Sequence, residues 1–372
     1  MITAWLPKFN VMISSQITAT PKLFIGMDVH KKSWTCHFKT DLFDYKTVTM
    51  PADANCLGEY VVKNFPEHEV SCCYEAGCCG YWIARKLQQL NWNVLVVNPA
   101  DVPRTSKQGW QKTDKIDCRN LCDHLRKNDL HSIYIPGEEQ EQLRSLFRRR
   151  NHLSRQLRTI KNHIKSQLLY YGIKLPAEFD NPNWSHEMKT WISKIEWKYS
   201  AASLAMQSRL KQLDFIWYET LDISTALRAY CRKHYHKDYY LLKSIPGIGG
   251  ITAAGILAEL GNLRRFNRID ELAAIVGLVP GIYESSDNKI CLGLSKRSNR
   301  YIRSLLVEAT WVAVRTDMAL QAYYRKHSAK EPNKAIIKVA HKLLSRMRAV
   351  IITGVPYQQQ SILQEQTAKH EQ

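Results

Sequence analysis

The chain has 372 residues, of which 45% are hydrophobic and 23% are charged. These proportions are ordinary for a globular protein and exclude wholesale disorder, and the length suffices for about two or three domains. The 53 Lys and Arg residues exceed the 34 Asp and Glu residues, which gives a formal net charge of +19. Such a surplus repels itself unless a polyanion neutralises it, so nucleic acid is the predicted partner. A basic protein without that partner is the alternative.

No apolar run approaches the roughly 20 residues that a membrane-spanning helix needs. We therefore predict a cytoplasmic protein with no membrane partner. The ten cysteines include Cys72-Cys73, Cys78-Cys79, and Cys118 with Cys122 one helical turn further on. They lack histidines at zinc-finger spacing, so we interpret them as buried reduced thiols rather than as a structural zinc site.

Residues 22–135 are predicted to form an α/β domain after an N-terminal extension at 1–21. Its first strand is the apolar run Phe24 to His30, which carries Asp28 near its end. The periodicity and cap residues predict, in chain order, strands at 24–30, 31–40 and 45–50, a helix at 53–64, a strand at 69–74, a helix at 81–90, a strand at 93–98 and a helix at 113–126. This order is the one that a ribonuclease-H-like domain requires.

Residues 136–238 are predicted to form a helical or coiled-coil linker. Leucine and isoleucine recur at spacings of three and four, and the remaining faces are rich in basic residues. A break at 175–184 separates the first helix from a second helix at about 187–213, and a third helical stretch reaches about residue 235. The excess of one charge favours contacts with a phosphate backbone through Arg148, Arg149 and Arg155, although a coiled coil with a solvated basic face fits the same pattern.

Residues 239–356 are predicted to form a mainly α domain. The glycine-rich turn at 244–250 precedes a small-residue helix at 251–260, and the exposed N–H groups of such a turn can hold a phosphate oxygen. We therefore predict that Gly247 and Gly249 belong to a helix-hairpin-helix-like element; a plain tight turn is the alternative. A helix at 269–276, a loop at 280–289 and a helix at 301–315 follow. The Gln-rich tail at 357–372 is predicted to be disordered.

Four acidic residues are candidates for metal chemistry. Asp28 and Glu75 end the first and fourth predicted strands, which are neighbours in a ribonuclease-H arrangement. Asp114 and Asp117 are three residues apart and share a helix face. Carboxylates gathered in this way repel each other unless hard divalent cations share the site, so we predict that the four bind Mg²⁺ or Mn²⁺ and act on a phosphodiester. For each acid alone, a solvated or helix-capping role is the alternative.

Ser285-Ser286 is the candidate nucleophile. A serine that attacks a phosphodiester needs exposure on a loop and cations that stabilise the developing charge. Basic residues follow closely, and we predict that they contact nucleic acid: Lys289, Lys296, Arg297, Arg300 and Arg303. From spacing alone, a turn without catalytic function fits these serines as well.

These segments together resemble one protein family. The motifs that carry the resemblance are Ile25-Gly26-Met27-Asp28-Val29-His30-Lys31, Tyr74-Glu75-Ala76-Gly77, Lys112-Thr113-Asp114-Lys115-Ile116-Asp117, Ile245-Pro246-Gly247-Ile248-Gly249, Gly277-Leu278-Val279-Pro280 and Ser295-Lys296-Arg297-Ser298-Asn299. In this order, over residues 22–350, the chain is similar to the DEDD transposases of the insertion-sequence family numbered one hundred and ten.

The resemblance implies a RuvC-like DEDD domain, a dimerising helical linker and a serine transposase domain. It implies that Asp28, Glu75, Asp114 and Asp117 bind Mg²⁺ and that a serine forms a covalent intermediate with DNA. The position of Leu292-Gly293 assigns that role to Ser286, with Ser285 as the alternative. It also implies donor and target DNA, a non-coding bridge RNA and a homodimer or homotetramer as the assembly. The location that it implies is the nucleoid of a bacterial cytoplasm.

We therefore predict a DNA transposase or recombinase that excises and inserts an insertion sequence. Two other functions stay open at this point. A metal-dependent nuclease of the RuvC type would cut junctions with water as the nucleophile, and a non-catalytic scaffold would bind nucleic acid through its charge alone.

Overall fold

The computed structural model describes residues 20–103, 113–181, 183–285 and 288–358. The chain divides into two compact units, Met1–Ile135 and Pro136–Gln372, which are described in turn. None of the described helices is long and apolar enough to cross a membrane.

Unit 1 contains a five-stranded mixed sheet with the strand order β3-β2-β1-β4-β5. Its elements are β1 (Lys22–Val29), β2 (Ser33–Thr40), β3 (Asp44–Pro51), α1 (Ala54–Asn64), β4 (Glu69–Glu75), α2 (Trp82–Gln88), β5 (Asn93–Val97) and α3 (Asp114–Lys127). The first three strands are antiparallel, whereas β4 runs parallel to β1 and β5 runs parallel to β4. This mixed sheet with flanking helices is consistent with the predicted ribonuclease-H-like domain.

The elements of unit 1 follow from local signals in the sequence. Trp34, Cys36 and Phe38 alternate along β2 and are fully buried. Asp53 caps α1 by accepting a hydrogen bond from the Asn55 N–H, and Thr113 caps α3 by accepting one from the Ile116 N–H. The predicted strands and helices of this unit are therefore present, with ends shifted by a few residues.

Gly26 allows α3 to lie directly on β1. A Cβ atom at this position would be 2.1 Å from the Cys118 carbonyl oxygen and 2.5 Å from the Cys122 backbone nitrogen. Both cysteines donate from their thiols to strand carbonyls, Cys118 to Thr35 at 2.9 Å and Cys122 to Phe24 at 3.2 Å. They are free and buried, as are several of the other described cysteines, so the prediction of buried reduced thiols is confirmed for them.

Unit 2 begins with a helical hairpin. Its elements are α4 (Glu138–Tyr170), a 3₁₀ turn (Ala177–Phe179), α5 (His186–Ser193) and α6 (Ser200–His234). The order of contacts makes α4 and α6 antiparallel, because Arg209 donates to the His163 carbonyl whereas Tyr230 donates to Glu139 near the other end. One apolar cluster joins α4, α5 and α6.

The predicted helix at 187–213 is wrong in its extent. The structure ends α5 at Ser193 and continues α6 without interruption through residue 213 to His234. Neither Gly nor Pro occurs between 200 and 234, so no backbone signal ends the helix there. Ile195 and Trp197 leave the helical path and pack on the cluster instead.

The remainder of unit 2 forms a mainly helical domain around the buried helix α8. Its elements are α7 (His236–Lys243), α8 (Gly250–Leu260), a 3₁₀ turn (Leu263–Arg265), α9 (Ile269–Val276), β6 (Pro280–Ser285), β7 (Asn288–Leu294), α10 (Arg300–Thr316), α11 (Met318–Ser328) and α12 (Pro332–Thr353). Every residue of α8 from Ala253 to Leu260 is buried. Leu143 and Phe147 of α4 and Leu227 of α6 belong to the same core, so the helical hairpin and this domain share one apolar interior.

The predicted loop at 280–289 is wrong for the described residues of this segment, because Pro280–Ser285 and Asn288–Leu294 form an antiparallel β-hairpin. Its strands pair from Pro280 with Leu294 to Ser285 with Asn288. The sequence contains a signal for this hairpin, since a turn-forming Ser-Ser-Asp-Asn run between two short strands is typical of one. The predicted disorder of the tail is also wrong at Tyr357, whose backbone N–H donates to Ser244 at 2.8 Å. Residues 359–372 lie outside the described part of the chain.

Candidate active site

The first acidic residue, Asp28, lies near the end of β1, which pairs in parallel with β4. The last pair in their register is Met27 with Tyr74, so Asp28 and Glu75 directly follow paired residues on adjacent strands. The side chain of Asp28 is 27% exposed. The sheet therefore brings these two predicted ligands to the same edge, as their positions at the ends of the first and fourth strands predict.

Helix α3 places Asp114 and Asp117 in its first turn, directly after the cap residue Thr113. Because Gly26 lets α3 touch β1, this first turn lies beside Asp28. The Nε2 atom of His30 is 3.1 Å from Oδ2 of Asp28 and 3.9 Å from Oδ2 of Asp114. One donor atom from each of Asp28, His30 and Asp114 lies within 4.8 Å of the others, which is close enough for the three to share a metal ion.

The charges around Asp28 favour a cation at this place. Burial is the main reason why the pKa of Asp28 is raised above its usual range, and Asp114 and Asp117 raise it further. His30 acts in the opposite direction, both through its charge and through its hydrogen bond to Asp28. The negative charge of ionised Asp28 is therefore under-compensated, which means that nearby positive charge balances only part of it. A divalent cation bound by oxygen donors would stabilise this charge.

The structure brings together two of the four predicted acids and adds a histidine. Among the described residues, Glu75 and Asp117 stand outside the close group of Asp28, His30 and Asp114. Asp117 still acts on Asp28 through its charge. The metal-binding roles of Asp28, Glu75, Asp114 and Asp117 stay predictions.

The sequence interpretation missed His30. A signal was present, because residues two apart in an extended segment project to the same side, and Asp28 and His30 have that spacing. The histidine is 58% exposed on its side chain, so it is not a core residue. An imidazole beside carboxylates extends the donor set beyond oxygen, which widens the range of metals that suit the site.

One of the two candidate serines, Ser285, lies at the far end of the β6–β7 hairpin. Ser285 is the last residue of β6 and pairs with Asn288, the first residue of β7. Ser286, the predicted nucleophile, lies outside the described residues. Lys289 pairs with Glu284 in the same ladder. The roles of both serines and of Lys289 stay predictions.

In the glycine-rich turn, Gly247 lies too close to a neighbouring helix for any side chain, whereas Gly249 has open space beside it. Gly247 has a positive φ of 87°, and a Cβ atom there would be 2.4 Å from the carbonyl oxygen of Ala309. Gly249 is the cap residue of α8, and no atom lies within 4 Å of its Cβ position. The turn therefore packs on α10 through Gly247, while phosphate binding by Gly247 and Gly249 stays a prediction.

Some of the basic residues that are predicted to bind nucleic acid have partners within the protein. Arg148 donates to both carboxylate oxygens of the buried Glu259, at 2.7 and 3.0 Å. Arg303 donates to the carbonyl oxygens of Gly277 and Ser295. The guanidinium of Arg155 lies 5.4 Å from the ring centre of Tyr301.

The other bases predicted to contact nucleic acid are exposed, namely Arg149, Lys296, Arg297 and Arg300. Their exposure is compatible with contact to a phosphate backbone, and this role stays a prediction for all of these residues.

Known proteins share both halves of this arrangement. Residues 25–173 match a transposase family described as the DEDD transposases of IS110, and residues 239–325 match the transposase IS116/IS110/IS902 family. The two matched segments contain the acidic cluster and the β6–β7 hairpin, in that order. The class that they define is the DEDD transposase.

Relatives with curated descriptions agree with this class. The y4qE protein of Sinorhizobium fredii is 27% identical over 240 residues, which is 64% of this chain and 57% of that protein. The transposase for insertion sequence element IS1111A of Coxiella burnetii is 23% identical over 66% of this chain and 67% of its own length. The transposase for IS1328 of Yersinia enterocolitica is 26% identical over 63% and 68%. The chain belongs to the IS110 family of DEDD transposases.

Proposed function

We propose that this chain cuts and rejoins DNA so that an insertion sequence is excised and inserted, and that the acidic cluster and the hairpin serine are both necessary. The observation that carries the proposal is the group formed by Asp28, His30 and Asp114 at the end of β1, with donor atoms within 4.8 Å of one another. Its surplus of negative charge suits a polyanionic substrate only when a cation is bound as well.

Asp28 and Asp114, together with Glu75 and Asp117, would hold Mg²⁺ or Mn²⁺. The bound cation supplies charge stabilisation for the phosphate oxygens while a phosphodiester is exchanged. The residues of the chain position this charge: β1 and β4 hold Asp28 and Glu75, and α3 holds Asp114 and Asp117 through its contact with Gly26. Without a cation, the Nε2–H of His30 donates to Asp28 and orients its carboxylate; the deprotonated Nε2 could instead bind the metal.

Ser286 is the proposed nucleophile, with Ser285 as the alternative. Its Oγ atom forms a bond to the scissile phosphorus while the bond from phosphorus to a deoxyribose oxygen breaks. The hydroxyl proton leaves the serine, and the departing sugar oxygen takes up a proton. Reversal of the same exchange on a second DNA end joins that end and releases the serine. Support comes from the family, from the hairpin that ends at Ser285 and from the basic residues that follow it.

Donor and target DNA are the proposed substrates, and a non-coding bridge RNA is the proposed guide that pairs with both. A homodimer or homotetramer is the proposed assembly. The net charge of +19 supports nucleic-acid partners in general. The guide and the assembly rest on the family resemblance.

Covalent trapping tests the serine. A DNA substrate nicked beside the cut site loses the strand needed for rejoining, so a covalent protein–DNA adduct accumulates and is seen as a slow band on a denaturing gel. We expect Ser286→Ala to abolish the adduct and Ser285→Ala to retain it. Adducts that persist in Ser286→Ala and vanish in Ser285→Ala would move the assignment to Ser285.

The acidic cluster is tested in the same assay with Asp28→Asn and with EDTA. We expect both to abolish adducts, while Asp41→Asn, a change at an exposed aspartate of the same unit, leaves them unchanged. Cleavage with free ends and no adduct would favour a metal-dependent nuclease in which water attacks. Unchanged activity in Asp28→Asn would contradict any catalytic role of the cluster.

A further inference from the structure

Unit 2 contains an apolar groove between the start of the β6–β7 hairpin and helices α10, α11 and α12. The groove encloses about 850 Å³, which is within the range of roughly 300–1,000 Å³ that is typical of small-ligand sites. Its walls include Leu278, Pro280, Val307, Ile336 and Ile337. An apolar concavity of this size exposed to water is a binding surface rather than a packing defect.

Aromatic side chains line one wall of the groove. Trp311 of α10 lines the groove and is 40% exposed, while the ring of Tyr324 packs edge-on against it at 5.6 Å. Tyr323 of α11 lines the groove as well, with the Lys342 ammonium 4.1 Å from its ring centre. A tryptophan held on one side and exposed on another offers a flat π-surface, on which a nucleobase can stack for about 1–3 kcal/mol.

A row of lysines follows one edge of the groove. Lys334, Lys338 and Lys342 recur at every fourth position of α12, so they share one helix face, and all three line the groove. No carboxylate in the described part of the chain pairs with Lys338 or Lys342. Desolvation lowers the pKa of His327 nearby, and Lys338, Lys326 and Lys342 lower it further by repulsion. Lys334 pairs with Glu331, whereas the positive charges of Lys338 and Lys342 are left for an external anion.

We propose that the groove binds unpaired single-stranded DNA, with a base stacked on Trp311 and neighbouring phosphates held by Lys338 and Lys342. The inference rests on the proposed function for its choice of partner. The apolar walls provide no hydrogen-bond partner for a ribose 2′-hydroxyl and would remove the water bound to it. This desolvation cost favours DNA over RNA. A second copy of this chain is disfavoured at this groove because it would bring a further net charge of +19 toward Lys338 and Lys342.

The position of the groove suits a strand that has just been separated. Pro280 and Leu294 line it and form the first pair of the hairpin, whereas Ser285 and Asn288 form the last. At about 3.3 Å per residue, the serine end of β6 is roughly 17 Å from the groove. DNA that reaches the hairpin end for cleavage would pass the groove within a few nucleotides, so the groove would retain an unpaired segment next to the cut.

Oligonucleotide binding tests the groove without any cleavage. The full-length chain carrying Ser285→Ala and Ser286→Ala is titrated, in EDTA, against a fluorescent thymidine oligomer of about 12 nucleotides, and anisotropy is measured over a range of salt concentrations. We expect Trp311→Ala to weaken binding about tenfold at every salt concentration and Trp311→Phe to retain most of the affinity. Lys338→Ala combined with Lys342→Ala should instead reduce the salt slope, by about 0.7 for each phosphate that is no longer neutralised.

Matched controls separate a specific site from general charge. Trp82 of unit 1 is 46% exposed, similar to Trp311, and Lys211 is exposed on α6. Trp82→Ala and Lys211→Ala should leave the affinity within about twofold of the parent. Circular dichroism and melting of Trp311→Ala check that its helices are intact, and Trp311→Phe provides the folded comparison.

Three results would overturn the proposal. The first is an affinity within twofold of the parent in both Trp311→Ala and the double lysine variant. The second is tighter binding of an RNA of equal length, with the loss in Trp311→Ala confined to that RNA. The third is a change of oligomeric state by light scattering in Trp311→Ala while DNA binding is unchanged. Adducts that persist in Ser286→Ala and Ser285→Ala would refute the proposed serine chemistry but leave this binding result standing.

Discussion

Each unit holds a carboxylate close to other charged groups. The carboxylate charge is balanced by the protein in unit 2 and only partly offset in unit 1. In unit 2 the side chain of Glu259 is only 1% exposed, and it accepts hydrogen bonds from Arg148 and from Asn299. Asn299 also caps α10, so the carboxylate ties α4, α8 and α10 together. In unit 1, Asp28 meets Asp114 and Asp117, and His30 is the described residue that offsets them.

The difference separates a structural ion pair from a ligand site. A buried carboxylate whose oxygens are all satisfied by the protein has no capacity left for a ligand. Asp28 is more accessible and its ionised form is disfavoured by its neighbours, so its remaining capacity is available to a cation. Under-compensation, rather than the presence of carboxylates, therefore marks the candidate metal site.

The largest effect is expected from Glu259→Ala. The substitution leaves Arg148 without its carboxylate and removes a hydrogen-bond acceptor from Asn299. Breaking a fully buried ion pair on one side costs about 3–5 kcal/mol. Arg148 is 47% exposed, so water screens part of that cost, but the less exposed Arg144 loses the same carboxylate. Urea unfolding should therefore detect a loss near the lower end of this range. Divalent-metal binding by the native protein should not change, because the metal ligands belong to unit 1.

Glu196→Gln is the matched control, because Glu196 is exposed between α5 and α6. It should change the unfolding free energy by no more than about 0.5 kcal/mol. A loss of similar size in Glu196→Gln, or a loss of metal binding in Glu259→Ala, would contradict the division between the two sites.

Gly26→Ala should break the metal site from a distance. The new methyl would overlap backbone atoms of α3, which cannot move without displacing the helix. Overpacking of this kind costs about 1–3 kcal/mol, and the shift would carry Asp114 and Asp117 away from Asp28. We expect lower stability together with weaker Mn²⁺ binding by calorimetry.

Gly58→Ala supplies the comparison for that experiment. Its methyl would meet only the end of the Leu90 side chain, at 3.2 Å, within a helix where alanine is favoured. Unfolding and metal binding should both stay near the parent values. If Gly26→Ala binds Mn²⁺ as well as Gly58→Ala does, the close approach of α3 is not what assembles the site.

Asp28→Asn should have a smaller effect of opposite sign on stability. The folded-state pKa of Asp28 is raised, so ionisation above that pKa destabilises the fold, and lowering the pH through it relieves the penalty. Without divalent cations the asparagine variant should therefore melt slightly higher near neutral pH, by about 0.5 kcal/mol in free energy. It should lose the stabilisation that Mg²⁺ or Mn²⁺ gives the parent. A lower melting temperature in EDTA would contradict the under-compensation of Asp28.

Much of unit 1 was predictable because its signals are local. The alternation at Trp34, Cys36 and Phe38 and the caps Asp53 and Thr113 each specify a strand or a helix within a few residues. The Glu259–Arg148 pair was not predictable, since its members are 111 residues apart and either charge alone is typical of a solvated face. Arg148 was accordingly interpreted only as a nucleic-acid contact.

The candidate site shows the same limit. The order of strands predicts that Asp28 and Glu75 are neighbours, but the distance from His30 to Asp114 depends on how closely α3 approaches β1. That approach is set by the absence of a side chain at Gly26, and a missing side chain gives no periodic signal in a sequence.

The most specific expected effect concerns His30, whose loss should change metal affinity and leave the stability of the fold almost unchanged. If the imidazole is a metal ligand, its loss should weaken binding of Mn²⁺ more than binding of Mg²⁺, because nitrogen donors suit Mn²⁺ better than they suit Mg²⁺. We expect His30→Ala to reduce Mn²⁺ affinity roughly tenfold, the lower end of the usual effect of residues that support metal ligands. Calorimetric titration with each ion measures the ratio directly, and His131→Ala, at an exposed histidine of the same unit, is the control. An equal loss for both ions would make His30 a group that orients Asp28 through its hydrogen bond, whereas no loss for either would remove it from the site. The ratio of the Mn²⁺ affinity to the Mg²⁺ affinity is the most informative quantity. Damage to the fold lowers both affinities, whereas loss of a nitrogen ligand lowers mainly the affinity for Mn²⁺.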